Sequence, residues 1–321
     1  MSRADDIRGW RERWWSEDRS VLRQVESELI AGRQSVASVF DEVDGRTDLR
    51  GLPVTKDLLS RVSIGDRVRP GSSRRGDGPS WIGLDLTGAD LYGMNWTELT
   101  IRDCVLDDAN VEHLRCWGVA VSDTSMRRAK LYRGQLGAPA ESWPNRSRWQ
   151  RVDLAQADLR MATADVQFEA INFGGAKFTS TDFGWSDLIG CVFSGIIRGL
   201  TLGMQPVSKR PDAWTLTGVD LSRARPRDLR LVGVDLGSPA VDVRLPEDAE
   251  HWSITDWFAF LHRVAAAIQQ LPDGDLKTAA EVWLQYARDE SAPQQVMGFV
   301  AAWDLRQLGG EPLVDLLYQA R

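Results

Sequence analysis

The stretch that decides the fold reads WIGLDLTGADLYGMNWTELTIRDCVLDDANVEHL, residues 81–114. A bulky residue returns there at every fifth position, and a second small or apolar residue stands two positions before each one. A helix repeats its apolar face every 3.6 residues and a strand every second residue, so neither produces this pattern. A short fixed repeat is typical of a solenoid. The bulky series consists of Trp81, Leu86, Leu91, Trp96, Ile101, Leu106, Val111, Cys116, Val121, Met126, Leu131 and Leu136.

The repeat resembles that of the pentapeptide-repeat family, whose motif is small–Asp/Asn–Leu/Phe–polar–any, as in the five residues 89–93, ADLYG. The resemblance implies a right-handed quadrilateral β-helix with one repeat on each side and four repeats in a coil. Residues twenty apart would then stack roughly 4.8 Å apart. The sequence agrees, because Ala89, Ala109 and Ala129 fall in one column. We therefore expect a mainly β chain of about seven coils, with N-terminal helices and a small C-terminal helical bundle.

The repeat divides the chain into three predicted parts. Residues 1–80 hold a helical segment, a single repeat at Thr47–Gly51 and a flexible linker, and residues 81–248 form the β-helix. Loops rich in Pro, Gly and small polar residues interrupt the β-helix at 137–148 and 199–213. Residues 249–321 form the bundle, for which apolar spacing predicts helices over 257–271, 276–288, 291–308 and 312–320. The bundle either caps the solenoid or, as in the best-studied relatives of the family, forms a homodimer.

Composition narrows the function further. Cys104, Cys116 and Cys191 all fall on inward positions, where they are expected to be small core residues. No apolar run approaches the 18 or so residues of a membrane span, and the N-terminus lacks the apolar stretch of a signal peptide. A cytoplasmic protein without membrane contact is the expectation. Basic residues cluster along the sequence at 67–75 alone, inside the predicted linker, so direct binding of nucleic acid is not expected.

The sequence contains no recognisable active site. It has three histidines, none of them in a pair with metal-ligand spacing, and it lacks a Gly-rich phosphate loop. The repeated aspartates occupy the Asp/Asn position of the motif and are explained by the repeat. We therefore predict no catalytic residue, no cofactor, no metal and no enzymatic activity.

Three functions remain open. The first is a non-enzymatic solenoid that docks its β-helix faces and loops on a protein partner. The second, implied by the resemblance, is a DNA mimic that binds DNA gyrase or another type II topoisomerase and confers resistance to a topoisomerase poison. The third is an enzyme or an accessory subunit of a biosynthetic enzyme. The residues predicted to bind the partner are Trp143, Met204, Lys209, Arg210, Asp103, Asp107, Asp108, Glu112, Trp117 and Trp185.

The charge balance bears on the second function. Residues 81–248 carry 19 basic and 22 acidic side chains, a net charge of −3. Duplex DNA carries two charges per base pair, so the solenoid as a whole is a poor mimic. The mimic would need one acidic face, for which the candidates are Asp103, Asp107, Asp108, Glu112 and Asp123.

Overall fold

The computed structural model of the chain describes residues 3–16, 19–31, 41–53, 79–137, 145–204, 215–246 and 248–321. Between residues 79 and 246 the described chain winds into a β-helix of short parallel strands, as the repeat predicts. Each coil has four sides, which we call faces 1 to 4. They are numbered in chain order from the inward residues of the first coil, Trp81, Leu86, Leu91 and Trp96.

The strands are short because each side of a coil holds one repeat. Those before the insertions are β1 (Glu42–Val43), β2 (Arg46–Asp48), β3 (Ser80–Ile82), β4 (Leu84–Asp85), β5 (Asn95–Thr97), β6 (Thr100–Arg102), β7 (Arg115–Trp117) and β8 (Ala120–Ser125). The later ones are β9 (Ser147–Asp153), β10 (Val166–Glu169), β11 (Asn172–Gly174), β12 (Thr181–Phe183), β13 (Asp187–Ile189), β14 (Val192–Leu202), β15 (Leu216–Thr217), β16 (Val219–Leu231) and β17 (Val243–Arg244).

The strand register follows the coil. Thr100 pairs with Ala120 one coil later, a step of twenty residues. The next step, from Ala120 to Arg148, covers 28 residues because it contains the first insertion. The step from Arg148 to Gln167 covers 19 residues because one residue is missing from that coil. Neither change shifts the inward positions, so the core columns continue without interruption.

The interior is filled by the inward residues of all four faces. One coil places Phe168, Phe173, Phe178 and Phe183 at its four inward centres, and each is at most 3% exposed. The ring of Phe173 stacks on that of Phe193 in the next coil, with 4.7 Å between centroids. Burying one such side chain stabilises the fold by about 1.5–3 kcal/mol. The interior is therefore a continuous dry core.

The three cysteines belong to this core, as predicted. Cys104, Cys116 and Cys191 are all buried and free. Burial raises the pKa of Cys104 to about 11 and that of Cys191 to about 12, and it raises the pKa of Cys116 as well. The thiols therefore stay protonated and unreactive near neutral pH.

Each corner of the coil is a tight turn. On most repeats of faces 2 and 3, the inward residue accepts a hydrogen bond from the N–H three residues later, as Leu86 does from Ala89 at 3.0 Å. The residue two positions after the inward one takes a positive φ, which suits glycine at Gly93. Several larger residues adopt the same conformation, among them Asp103 and Arg133. Their side chains point away from the core at fixed intervals.

The N-terminal segment closes one end of the rod. Strand β2 pairs in parallel with β4, and Leu49 is fully buried, so the single repeat forms a partial coil. Helix α1 (Arg3–Ser16) packs beside this coil, where Trp14 Nε1 donates to the Arg50 carbonyl at 2.8 Å. Helix α2 (Arg19–Ala31) lies against the first full coil, and Trp81 Nε1 donates to the Leu29 carbonyl at 2.9 Å.

The C-terminal unit contains three helices, α3 (Trp257–Gln269), α4 (Asp275–Glu290) and α5 (Ala302–Ala320), of which α5 breaks at Gly310. It also contains an unexpected antiparallel strand pair, β18 (His251–Ile254) and β19 (Gly298–Ala301). The helix predicted over 291–308 is therefore wrong at its start. Residues 298–301 pair with β18, and the helix begins at Ala302. None of the helices among the described residues combines the length and hydrophobicity needed to cross a lipid bilayer.

Each of the predicted loops is too long at one end: 137–148 at its C-terminal end and 199–213 at its N-terminal end. Strand β9 already begins at Ser147, and β14 continues to Leu202, because Leu200 and Leu202 are buried core residues. Residues 138–144 and 205–214 lie outside the described residues.

Candidate protein-binding surface

Each face of the rod displays three outward positions per repeat: the residue before the inward one and the two residues after it. Face 3 is built on the inward residues Leu91, Val111, Leu131, Leu159, Phe178, Ile197 and Pro226. Because successive coils stack strand on strand, side chains about twenty residues apart become neighbours on a face. The chemistry of a face therefore cannot be read from residues that are adjacent in sequence.

Face 3 collects basic side chains over its last five coils. We call this surface the basic stripe, and it consists of Lys130, Arg133, Arg160, Lys177, Arg198, Arg225 and Arg227. Backbone β-bridges join Lys130 to Asp158 and Asp158 to Lys177. In the paired strands β14 and β16, Arg198 lies beside Arg227. From Lys130 to Arg225 the stripe covers four coil steps, about 19 Å. Arg227 is half-buried and the other six members are exposed.

The stripe has a net positive charge. The outward positions of these five coils hold seven basic residues and two acidic ones, Asp158 and Asp228. Arg160 forms an ion pair with Asp158 at 2.6 Å. Partial burial raises the pKa of Asp158, but hydrogen bonds from Arg160 outweigh that effect and leave the pKa below its usual value. The other six basic side chains form no ion pair with any residue that the structure describes.

An aromatic column runs along the same face ahead of the stripe. The ring centroids of Tyr92 and His113 are 5.3 Å apart, and those of His113 and Tyr132 are 6.3 Å apart. The guanidinium groups of Arg133 and Arg160 lie over the Tyr132 ring at 5.2 and 5.7 Å from its centroid. Such cation–π contacts hold both arginines in place at the surface.

The C-terminal unit sits on the far end of the stripe. Arg198 and Arg227 both lie 5.5 Å from the centroid of the Trp303 ring. Beside it, the Asp304 carboxylate accepts the backbone N–H of Asp228 at 2.6 Å. A cleft of about 1100 Å³ remains between the helices and the last coils, with charged residues on both walls and aromatic residues on the wall of the C-terminal unit.

The carboxyl groups in this contact have altered acidities. Burial raises the pKa of Asp304 to about 6, although the N–H of Asp228 opposes the change. Burial also raises the pKa of Asp228. Next to them, Arg230 binds Glu290 at 2.6 Å. The contact between rod and bundle is therefore largely polar.

The structure does not place the predicted acidic residues on one face. Asp103 lies on face 1, Asp107 and Asp108 lie on face 2, and Glu112 lies on face 3. Residues five apart in sequence stand on neighbouring sides of a coil, so this run forms a belt around the rod. The expectation of a single acidic face around these residues is therefore wrong.

Arginines neutralise part of the negative charge of this belt. Arg46 pairs with Asp103, and Arg128 binds Asp107 at 3.3 Å and Asp108 at 2.9 Å. These contacts lower the local negative charge on faces 1 and 2.

Face 4 holds three of the other predicted residues. Trp185 and Met204 occupy equivalent outward positions one coil apart, and Trp117 lies three coils before Trp185. All three are half-buried. Trp143, Lys209 and Arg210 lie outside the described residues, and their role in binding stays a prediction.

The basic stripe was not apparent in the sequence because its residues lie far apart along the chain. Lys130 and Arg225 are 95 positions apart but lie on the same face. The signal was present: assigning each outward residue to a face, with steps of 28, 19, 19 and 29 residues from Lys130 to Arg225, brings the seven together. The described part of the chain contains no group of three or more His, Cys, Asp and Glu side chains suited to a metal ion.

Comparisons with known proteins agree with the repeat. A family model for pentapeptide repeats (8 copies) matches residues 167–195, in the phenylalanine-rich part of the β-helix, and the chain thus contains pentapeptide repeats. No curated protein matches the chain in sequence.

Among solved structures, the chain is similar to QnrB1, a plasmid-mediated fluoroquinolone resistance protein. The match has 14% identity and a TM-score of 0.25, and it covers 47% of this chain and 79% of that one. It is also similar to HetL, a pentapeptide repeat protein involved in heterocyst differentiation regulation from the cyanobacterium Nostoc sp. strain PCC 7120. That match has 19% identity and a TM-score of 0.21, and it covers 52% of this chain and 78% of that one. Values this low carry no argument about function.

Proposed function

We propose that this pentapeptide-repeat protein is a non-enzymatic, protein-binding solenoid that docks one face of its β-helix on a protein partner. The observation that supports this most strongly is the basic stripe with its neighbour Tyr132. Arginine and tyrosine are enriched at the centres of protein interfaces. Here they stand together on one surface, at spacings set by the coil.

The rod presents this surface with little entropic cost. The backbone under each basic side chain belongs to a strand or a tight turn over a dry core, so binding does not have to order it. Arg133 and Arg160 are further restrained by the Tyr132 ring. Preorganised surfaces lose less conformational entropy on association, and this favours docking of a folded partner.

The patchwork of charge favours this function over DNA mimicry. A mimic of duplex DNA needs a continuous acidic surface. Among the described residues, the acidic belt is partly paired with arginines and face 3 is basic. Topoisomerase binding, antibiotic resistance, a cytoplasmic location and dimerisation through the C-terminal helices all stay predictions.

Photo-crosslinking in cells of the native host tests the proposed function. The photoreactive residue p-benzoylphenylalanine would replace Thr179, which is exposed on face 3 between Arg160 and Arg198. Thr217, an exposed threonine on face 1, is the matched control. We expect a protein adduct of defined mass at Thr179 and none at Thr217. Absence of any protein adduct from positions on all four faces would overturn the proposal.

A further inference from the structure

The contact between the C-terminal unit and the rod shows what chemistry the basic stripe accepts. At its far end, an aromatic ring covers two arginines, because Trp303 lies over both Arg198 and Arg227. Residues 249–321 carry ten acidic and five basic side chains, a net charge of −5. Two arginines at the far end of the stripe therefore already bind an aromatic side chain of a unit that is acidic in sum, within the same molecule.

The rest of the stripe presents the same chemistry without a cover. Lys130, Arg133, Arg160 and Lys177 are exposed, and Tyr132 lies among them. Three of the four basic groups have no ion-pair partner among the described residues, so their charge is available to a ligand. A ligand that brings carboxylates to these three groups gains electrostatic attraction without first having to break an existing ion pair.

The aromatic groups of the stripe argue against a nucleic acid. Single strands bind by stacking bases on free aromatic faces along a basic groove. The Tyr132 ring is already engaged by the guanidinium groups of Arg133 and Arg160. The remaining surface of the rod is acidic in sum, which repels a long polyanion. A short acidic segment avoids this repulsion, because about three extended residues span the two coil steps, roughly 10 Å, from Lys130 to Lys177.

We infer that the basic stripe of face 3 binds an acidic protein segment that carries aromatic side chains. The inference rests on the proposed protein-binding function and names the partner's chemistry. Carboxylates of the segment pair with Lys130, Arg133 and Lys177, and its rings lie over the arginine side chains as Trp303 does at the far end.

A random copolymer of glutamate and tyrosine, labelled with a fluorophore, is the probe. Its binding to the full chain is measured by fluorescence anisotropy at several salt concentrations. The stripe variant carries Lys130→Gln, Arg133→Gly and Lys177→Gln. The control variant carries Arg102→Gln, Arg115→Gln and Arg148→Gln, three exposed arginines on faces 1 and 4. Both variants lose the same net charge, and circular dichroism verifies that both remain folded.

We expect the stripe variant to bind the copolymer about tenfold more weakly than the unmodified chain, since three exposed charge contacts are lost. The control variant should lose less than about threefold, and polyglutamate should bind more weakly than the copolymer. Equal loss in the two variants would overturn the inference, as would equal binding of polyglutamate, or no binding by the unmodified chain. A 20-nucleotide single-stranded DNA that binds more tightly, with the same dependence on the stripe, would assign the surface to nucleic acid instead.

Failure of this inference is distinct from failure of the proposed function. A protein adduct at Thr179 that persists in the stripe variant would support the protein-binding function but contradict binding of an acidic segment to the stripe. Absence of protein adducts from every face of the unmodified chain would contradict the protein-binding function itself.

Discussion

The two ends of the β-helix are closed in different ways. At the N-terminal end, Val25 and Leu29 of α2 belong to the same hydrophobic core as the coils. Trp81 of the first coil donates a hydrogen bond into that helix. The N-terminal helix is thus an extension of the rod's interior.

At the other end, the C-terminal unit has a hydrophobic core of its own, centred on Phe260 and Leu305. It meets the rod through polar and cation–π contacts, such as Arg230 with Glu290 and Trp303 with Arg198. One terminal segment therefore folds with the rod, while the other is a separate folding unit attached to it.

Leu106→Asp should destroy the rod together with its N-terminal helix. Leu106 is fully buried in face 2, and a charge there has no polar partner. We expect a loss of more than about 4 kcal/mol in the free energy of unfolding. Hydrogen exchange measured by mass spectrometry should then show exchange throughout residues 19–31 and 79–246, with residues 257–320 still protected.

Val105→Asp is the matched control for that variant. Val105 precedes Leu106 in the outward position where the motif places aspartate, so the change should cost less than about 1 kcal/mol. An unchanged melting curve for Leu106→Asp would contradict the register of the core.

Phe260→Ala should unfold the C-terminal unit alone. Phe260 is fully buried in α3, and its truncation should cost about 3–5 kcal/mol in that unit. Phe258, on the same helix, is 40% exposed, so Phe258→Ala should cost much less. Hydrogen exchange of residues 257–320 should rise in the first variant while the rod stays protected. A simultaneous rise in the rod would show that the two cores unfold as one.

Gly51→Ala should separate helix α1 from the rod. Gly51 has φ +70°, and a Cβ there would lie 2.7 Å from the backbone nitrogen of Arg11. Gly93 has φ +71° with nothing within 4 Å of such an atom, so Gly93→Ala pays the conformational cost of about 1 kcal/mol alone. We expect the Gly51 variant to lose about 1–3 kcal/mol more in urea denaturation, because of the clash. Equal losses would mean that α1 does not pack there.

Asp304→Asn should change how the C-terminal contact responds to pH. Burial raises the pKa of Asp304 to about 6, whereas an unfolded aspartate titrates near 3.9. Between about pH 4 and 6 the folded state therefore binds more protons, and its stability falls as pH rises. The effect should be roughly 1 kcal/mol, since solvent screens a carboxyl that is only partly buried.

Asparagine does not titrate and can still accept the N–H of Asp228, so this part of the pH dependence should disappear. Asp228 and His251 face Asp304, so the comparison reports the Asp304 charge together with its coupling to these two groups. The pH dependence of stability is measured by thermal unfolding of the C-terminal unit. Identical pH profiles for the two proteins would contradict the altered pKa of Asp304.

The rod was largely predictable from sequence because its core obeys one simple period. Every residue of the series from Trp81 to Leu136 is buried, and the missing residue near Ala162 did not disturb the columns. The strand pair of the C-terminal unit was not predictable in the same way. Residues 298–301 alternate too briefly to distinguish a strand from a helix. Their partner strand lies 44 to 50 residues away, since Ile254 pairs with Gly298 and His251 with Ala301.

The surface was harder to predict than the core. Inward positions show themselves by hydrophobicity, whereas the outward charge pattern appears only after the coil is wound with its insertions and its missing residue. The acidic belt is the clearest example, since Asp103 and Glu112 are neighbours in sequence but stand on different faces. The contacts of Arg46 with Asp103, and of Trp303 with the stripe, join segments whose relative placement no local pattern encodes.

Because each coil contains four repeats, one on each side, every repeat turns the chain by a quarter of a coil. Removing twenty residues would withdraw everything downstream by one coil, about 4.8 Å, without rotating it. Removing a single repeat of five would instead rotate the downstream rod by a quarter turn. If that cut fell between Arg160 and Lys177, the basic stripe would be split between two neighbouring faces, although every remaining inward residue would still have a column to enter. Insertions and deletions in this protein thus set the direction in which its surfaces point. The two natural insertions preserve that direction, since the strands on either side of each remain in register.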